Sequence, residues 1–278
     1  MMSPEQFFEL MLKELEVHTE MQLYYKFLGK KSSLHFRRNY FLQRLRYVKR
    51  HIIDVNANKG VTAIWDCGSG YGTTCLFLAL NGISTVGTTL EFYYDTVQKR
   101  KEYWSQYGDT SLFNCTYENL FDNQPAAGSF DWIIVQDTLH HLEPIAEALQ
   151  IFNRSLKKNG KILSIEENGN NLIQRLKLYK YRGSKRIITI WDEKLQKDIL
   201  IGNENIRSLE TWQHLFEENG FNLQKDSVQY IRYFLPIHYR FSAPDALLEK
   251  EQKLQSAKGF RREYFFFGLN FIAEKSIT

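Results

Sequence analysis

Asp66-Cys67-Gly68-Ser69-Gly70-Tyr71-Gly72 is the stretch on which the reading of the fold turns. It follows the apolar run Val61-Thr62-Ala63-Ile64-Trp65 and leads into Thr73-Thr74-Cys75-Leu76-Phe77-Leu78-Ala79, a segment suited to a helix. A strand, three glycines at alternate positions and then a helix put bare Cα atoms and backbone N–H groups where a ligand can approach closely. The dinucleotide fingerprint G-x-G-x-x-G requires glycine at position 73, and this chain has Thr73. Nicotinamide is thereby disfavoured.

Working outward, short apolar runs alternate with helical stretches, the signature of βαβ units and a parallel sheet. The pattern predicts strands over 61–66, 84–89, 112–117, 131–136 and 161–166. Asn81-Gly82 ends the first helix as a C-cap would, and Asn159-Gly160 marks a tight turn before the fifth strand. Upstream, Ser3, Pro4 and Gln6 form a capping-box start, and Phe8, Met11, Leu12 and Leu15 follow as an apolar stripe. Leu42, Leu45, Val48 and Ile52 make a second stripe, opposite a face rich in Arg and Lys. The expected division is a helical cap region over 1–58 and a catalytic domain over 59–278. Within the latter, a basic and aromatic insertion spans 167–208, a helix closed by Gly220 follows, and stretches 224–239 and 263–273 are expected to pair as antiparallel strands.

At 278 residues the chain can bury one sizeable core, and 43% hydrophobic against 24% charged residues is ordinary for a folded globular protein. Lys plus Arg number 36 and Asp plus Glu 32, so the net charge of +4 lacks the concentrated basic field of a dedicated nucleic-acid binder. The N-terminus has no cationic start followed by an apolar run, and no stretch approaches a membrane span, so a cytoplasmic protein is expected. Cys67, Cys75 and Cys115 form no CxxC pair and have no histidine at ligand spacing; neither a disulfide framework nor a metal site is expected. Oligomeric state is left open.

The stretch 66–72, an acid, one residue and then G-x-G-x-G, resembles motif I of class I S-adenosylmethionine-dependent methyltransferases. The resemblance extends over roughly 60–167, through Ser129-Phe130-Asp131-Trp132-Ile133-Ile134-Val135, Leu139-His140-His141-Leu142 and Leu156-Lys157-Lys158-Asn159-Gly160-Lys161-Ile162-Leu163. It implies a Rossmann-like α/β fold: a seven-stranded, mostly parallel sheet with helices on both faces, here with the N-terminal cap and the insertion added. It also implies S-adenosylmethionine as cofactor. Asp66 would then sit near the methionine ammonium, with Gly68, Ser69, Gly70 and Gly72 lining the ribose and methionine portion. The acid that usually ends the second strand and holds both ribose hydroxyls falls on Thr89. A hydroxyl cannot accept two hydrogen bonds as a carboxylate does, so Glu91, two residues on, is nominated beside it. Glu118 and Asn119 would meet the adenine, while Gln136 and Asp137 would face cofactor and acceptor at the carboxyl end of the fourth strand. His141 is the candidate general base. One of Glu166 and Glu167 faces the pocket by strand alternation, and Glu167 is taken as the catalytic candidate. Cys67 is read as a packing residue.

Direct displacement at a sulfonium asks the protein mainly to align the nucleophile and exclude water. Aromatics crowd the N-terminal helices, the insertion and the end of the chain, so a lid over a small or lipid-like organic acceptor is expected. Two alternatives remain open: RNA methylation through the basic segments, and a cofactor-binding protein without catalysis, to which Thr89 at the acid position points.

Overall fold

The computed structural model describes residues 1–56, 62–257 and 259–276. The expected boundary at 58/59 and Val61, the expected start of the first strand, lie outside the described residues.

Ten strands are found among the described residues: β1 Ile64–Cys67, β2 Thr85–Thr89, β3 Phe113–Tyr117, β4 Phe130–Gln136, β5 Leu156–Glu167, β6 Ile187–Asp192, β7 Lys197–Gly202, β8 Phe221–Leu223, β9 Gln229–Ile231 and β10 Gly268–Lys275. The main sheet runs β3-β2-β1-β4-β5-β10-β8, with β9 also pairing β10. From β3 to β5 all pairings are parallel, and β10 runs antiparallel to β5, β8 and β9. The expected terminal pair is thus three strands, because two short segments on either side of Lys225–Ser227 share the long edge of β10. β5 begins earlier than expected, at Leu156, with an irregularity between Phe130 and Trp132 of its partner strand.

Period-two alternation assigns the sheet's two faces. Ile64, Trp132, Ile134, Leu163 and Ile165 join one core with Leu76, Phe77, Trp104 and the N-terminal residues Phe7, Phe8, Met11 and Leu15. Trp65, Ile133, Val135 and Ile162 join the other, with Leu149 and Phe152 of the helix Ile145–Ser155 and Trp212 and Phe216 of the helix Leu209–Glu218. The N-terminal helices, Pro4–Val17 and Lys31–Val48, are therefore an integral layer over the first face. The capping box of Ser3 and Gln6 is present, and Leu42, Leu45, Val48 and Ile52 are all buried.

The insertion consists of a helix, Leu172–Arg182, and the hairpin β6–β7, a two-stranded sheet of its own. The hairpin crosses the carboxyl edge of the main sheet. At one end Leu142 bridges Ile201. At the other, the Tyr117 hydroxyl donates to Asp192 Oδ2 at 2.7 Å and Lys194 pairs with Asp95 at 3.0 Å.

Candidate active site

Asp66, one residue before the end of β1, lies on the face covered by the N-terminal layer and is 2% exposed. Its Oδ2 accepts from Cys75 Sγ at 3.2 Å, while Oδ1 is buried with no partner among the described residues. Burial pushes its carboxyl up to about 7, with the Cys75 hydrogen bond and the Arg44 charge pulling the other way. Burying an acid with one oxygen unspent is costly unless a donor completes it. An ammonium is such a donor, so this residue fits the cofactor the motif implies.

The glycines of the loop act differently from the sequence expectation. A Cβ on Gly68 (φ +81) would lie 2.2 Å from Thr138 Oγ1, and one on Gly72 (φ +70) 2.5 Å from the Phe113 ring. These two glycines therefore make room for the protein's own side chains, and for left-handed backbone. The Gly68 and Ser69 N–H groups donate to the Thr88 carbonyl at 2.8 and 2.9 Å, so these two groups knit the loop to β2. Ser69 Oγ lies 3.6 Å from Cys115 Sγ, and Gly70 keeps a positive φ of +55.

β2 stops at Thr89, so Glu91 lies in the turn beyond the strand and not on it. Thr89 is 2% exposed, and its Oγ1 accepts from the Glu91 N–H at 3.1 Å. Glu91 itself is exposed, within electrostatic reach of Tyr24, Tyr71 and Tyr117. Past β3, Glu118 donates its N–H to the Thr89 carbonyl, whereas Asn119 is buried and accepts from Phe121 N in its own turn. Gln136 at the end of β4 bonds Thr74 at the start of the helix Thr73–Ala79.

Glu166 and Glu167 point to opposite faces. The Glu166 carboxylate, 1% exposed, accepts the Thr138 and Leu139 N–H groups at 3.0 and 2.8 Å and pairs with His140 Nδ1 at 2.5 Å. Burial pulls the His140 imidazole down, but Glu166, with Asp137 and Glu204, more than offsets this and raises it to about 9. His141 Nδ1 is 2.8 Å from the Gly202 carbonyl, in the insertion. Glu167 pairs with Arg232, whose guanidinium lies 4.7 Å over the Tyr40 ring.

Sequence reasoning missed Arg44. It belongs to the basic face opposite the apolar stripe, yet it pairs with Asp137 Oδ2 at 2.7 Å and lies 5.1 Å over the same Tyr40 ring. Arg44 Nε and Asp137 Oδ1 are buried without partners among the described residues. Asp137 adopts φ +48 immediately after β4. The spacing Tyr40-x-x-x-Arg44, beside the apolar stripe, was the available signal.

Residues 65–164 match the methyltransferase domain family. No curated protein matches the sequence. Among solved structures, a candidate sarcosine dimethylglycine methyltransferase of Galdieria sulphuraria is 16% identical with a TM-score of 0.56, over 86% of this chain and 88% of that one. A SAM-dependent methyltransferase of Archaeoglobus fulgidus is 15% identical, TM-score 0.53, over 93% and 99%. Phosphoethanolamine N-methyltransferase 2 of Haemonchus contortus, in complex with phosphomonomethylethanolamine and S-adenosylhomocysteine, is 16% identical, TM-score 0.54, over 85% of this chain and 52% of that one. The fold is that of the class I, Rossmann-like methyltransferases. At the core of that fold, residues 65–164 form a methyltransferase domain, and the structural neighbours named above are methyltransferases.

Proposed function

We propose that the chain methylates a small organic acceptor carrying an anionic group, at a site walled by Arg44, Arg232, Tyr40 and Asp137. The observation that carries this reading is the Arg44–Asp137 pair: it sits at the carboxyl end of β4, one residue from the Thr138 that packs on Gly68, and each partner keeps one buried polar atom unspent. A guanidinium with a free Nε suits a carboxylate or phosphate, and a carboxylate with a free oxygen suits an ammonium or hydroxyl. The Galdieria and Haemonchus proteins are named for, or hold, amines bearing an anionic group, the same combination of charges.

When bound, S-adenosylmethionine supplies the methyl group of a sulfonium. Asp66, the loop 68–72, Glu91, Asn119 and Gln136 would hold it. Asp137 Oδ1 then accepts a hydrogen bond from the acceptor's nucleophile and orients it, while Arg44 and Arg232 fix the anionic end. Held alignment of this kind is equivalent to an effective concentration on the order of 10⁵ M or more. The base role expected of His141 is not retained, because its partners are the insertion's Gly202 and His140. The hairpin β6–β7 and the N-terminal layer close the site and exclude water.

Methyl-label transfer from the cofactor should occur to amines bearing carboxylate or phosphate. Arg44→Met should raise KM for them by a factor of about 10 to 100, the equivalent of about 1.5–3 kcal/mol, with circular dichroism unchanged. Equal transfer to uncharged lipids, or transfer to RNA alone, would overturn the reading.

A further inference from the structure

The loop leaving β4 meets the turn leaving β7, and three side chains that the methyl-transfer site does not use converge there. We propose that His140, His141 and Glu204 bind a divalent cation of the zinc type, which clamps the insertion to the cofactor half. Atoms able to ligate a metal on these three residues lie within 4.8 Å of one another, and His140 Nε2 is 3.8 Å from Glu204 Oε2.

Both imidazoles are oriented as metal-binding histidines are. Nδ1 of His140 is engaged by the Glu166 carboxylate and Nδ1 of His141 by the Gly202 carbonyl. A proton donated at Nδ1 leaves Nε2 as the nitrogen that can ligate, the ion displacing any proton it carries, and a carboxylate or backbone carbonyl at Nδ1 is the usual outer partner of a ligating histidine. The two rings lie side by side, with centroids 4.2 Å apart and planes tilted by 47°. Two imidazoles and one carboxylate, with water at a fourth position, suit zinc. Ligand atoms about 3.4 Å apart make a zinc tetrahedron with bonds of about 2.1 Å. Glu204, 38% exposed on its turn, has the freedom to close the remaining gap.

The backbones on either side are already fixed to each other. A Cβ on Gly202 would lie 2.0 Å from the His140 carbonyl, and that carbonyl accepts from Asn205 N at 3.2 Å. The ion would thus add a clamp where the insertion already docks. Adjacent histidines and a distant glutamate carry no recognisable ligand spacing, which is why the sequence pointed to no metal.

The test uses the full chain, stripped with a chelator and titrated with Zn²⁺ against a chromophoric competitor, with Co²⁺ as a spectroscopic probe. One ion per chain should bind, with a tetrahedral Co²⁺ absorption, and Zn²⁺ should raise the melting temperature. Glu204→Gln and His141→Ala, each checked by circular dichroism, should weaken binding by about tenfold or more and abolish the thermal shift. No saturable binding by the parent chain, or affinity unchanged in both variants, would overturn the proposal.

Discussion

Arg100 and Glu14 form a two-point ion pair, Nε and Nη2 each 2.7 Å from a carboxylate oxygen, and neither side chain has any solvent exposure. The same guanidinium donates through Nη1 to the Tyr71 carbonyl and the Thr73 hydroxyl, both at 2.7 Å. One side chain on the helix Thr96–Trp104 therefore ties the N-terminal helix to the glycine loop. Tyr25, in the same N-terminal layer, reaches Thr73 as well, at 2.5 Å.

Removing one partner of a buried pair strands the other charge, at a cost of about 3–5 kcal/mol. Glu14→Gln should therefore lower the melting temperature sharply and, through Tyr71, loosen cofactor binding. The double replacement Glu14→Leu with Arg100→Met should be less damaging to stability than either change alone. Thermal melts and calorimetry on these four variants check this, and parent-like stability of Glu14→Gln would count against it.

Gly68→Ala should destabilise the loop, since its methyl group would press on Thr138 and φ is +81. Thr138→Ala removes two of the three clashing atoms and should restore part of the lost cofactor affinity. An additive double variant would show that the Thr138 contact is not what demands glycine.

Asp66 makes cofactor affinity depend on pH. Its folded value of about 7 lies above the unfolded value near 3.9, so its contribution to stability is complete below the lower figure and lost as pH rises through the upper one. Around it lie Cys67, Cys75 and Cys115, whose thiols burial pushes up, and Arg44. An ammonium prefers the ionised carboxylate, so affinity for S-adenosylmethionine should rise by up to about tenfold per pH unit toward 7. It should fall again above about 8, as the cofactor's α-amino group loses its proton. Calorimetry across this range should show proton release on the acid side, and Asp66→Asn should flatten that limb. An acid limb that persists in Asp66→Asn assigns it to another group.

Just beyond β2, Glu91→Gln should weaken cofactor binding by about 1.5–3 kcal/mol, its carboxylate holding the ribose hydroxyls. Thr89→Ala should do less, since the Thr89 hydroxyl is engaged by the Glu91 N–H. The reverse ranking of dissociation constants would transfer the role to Thr89.

The order of strand, glycine loop and helix, the alternation that buries Ile64 and Trp65 on opposite faces, and the capping box at Ser3 are local, and each was legible in the sequence because period and turn chemistry act over a few residues. What the loop glycines accommodate was not legible, because Thr138 and Phe113 reach them only when β4 and β3 flank β1 and β2. Arg44 reads as surface in a basic run, and only the packing of the helix Lys31–Val48 over the carboxyl ends of the strands turns it onto Asp137. His140, His141 and Glu204 likewise meet only because the hairpin β6–β7 folds back across that edge. Sequence spacing determines which groups share a strand or a helix face, whereas the charge pairs that define this site join elements distant in the chain, and tertiary packing alone sets those distances.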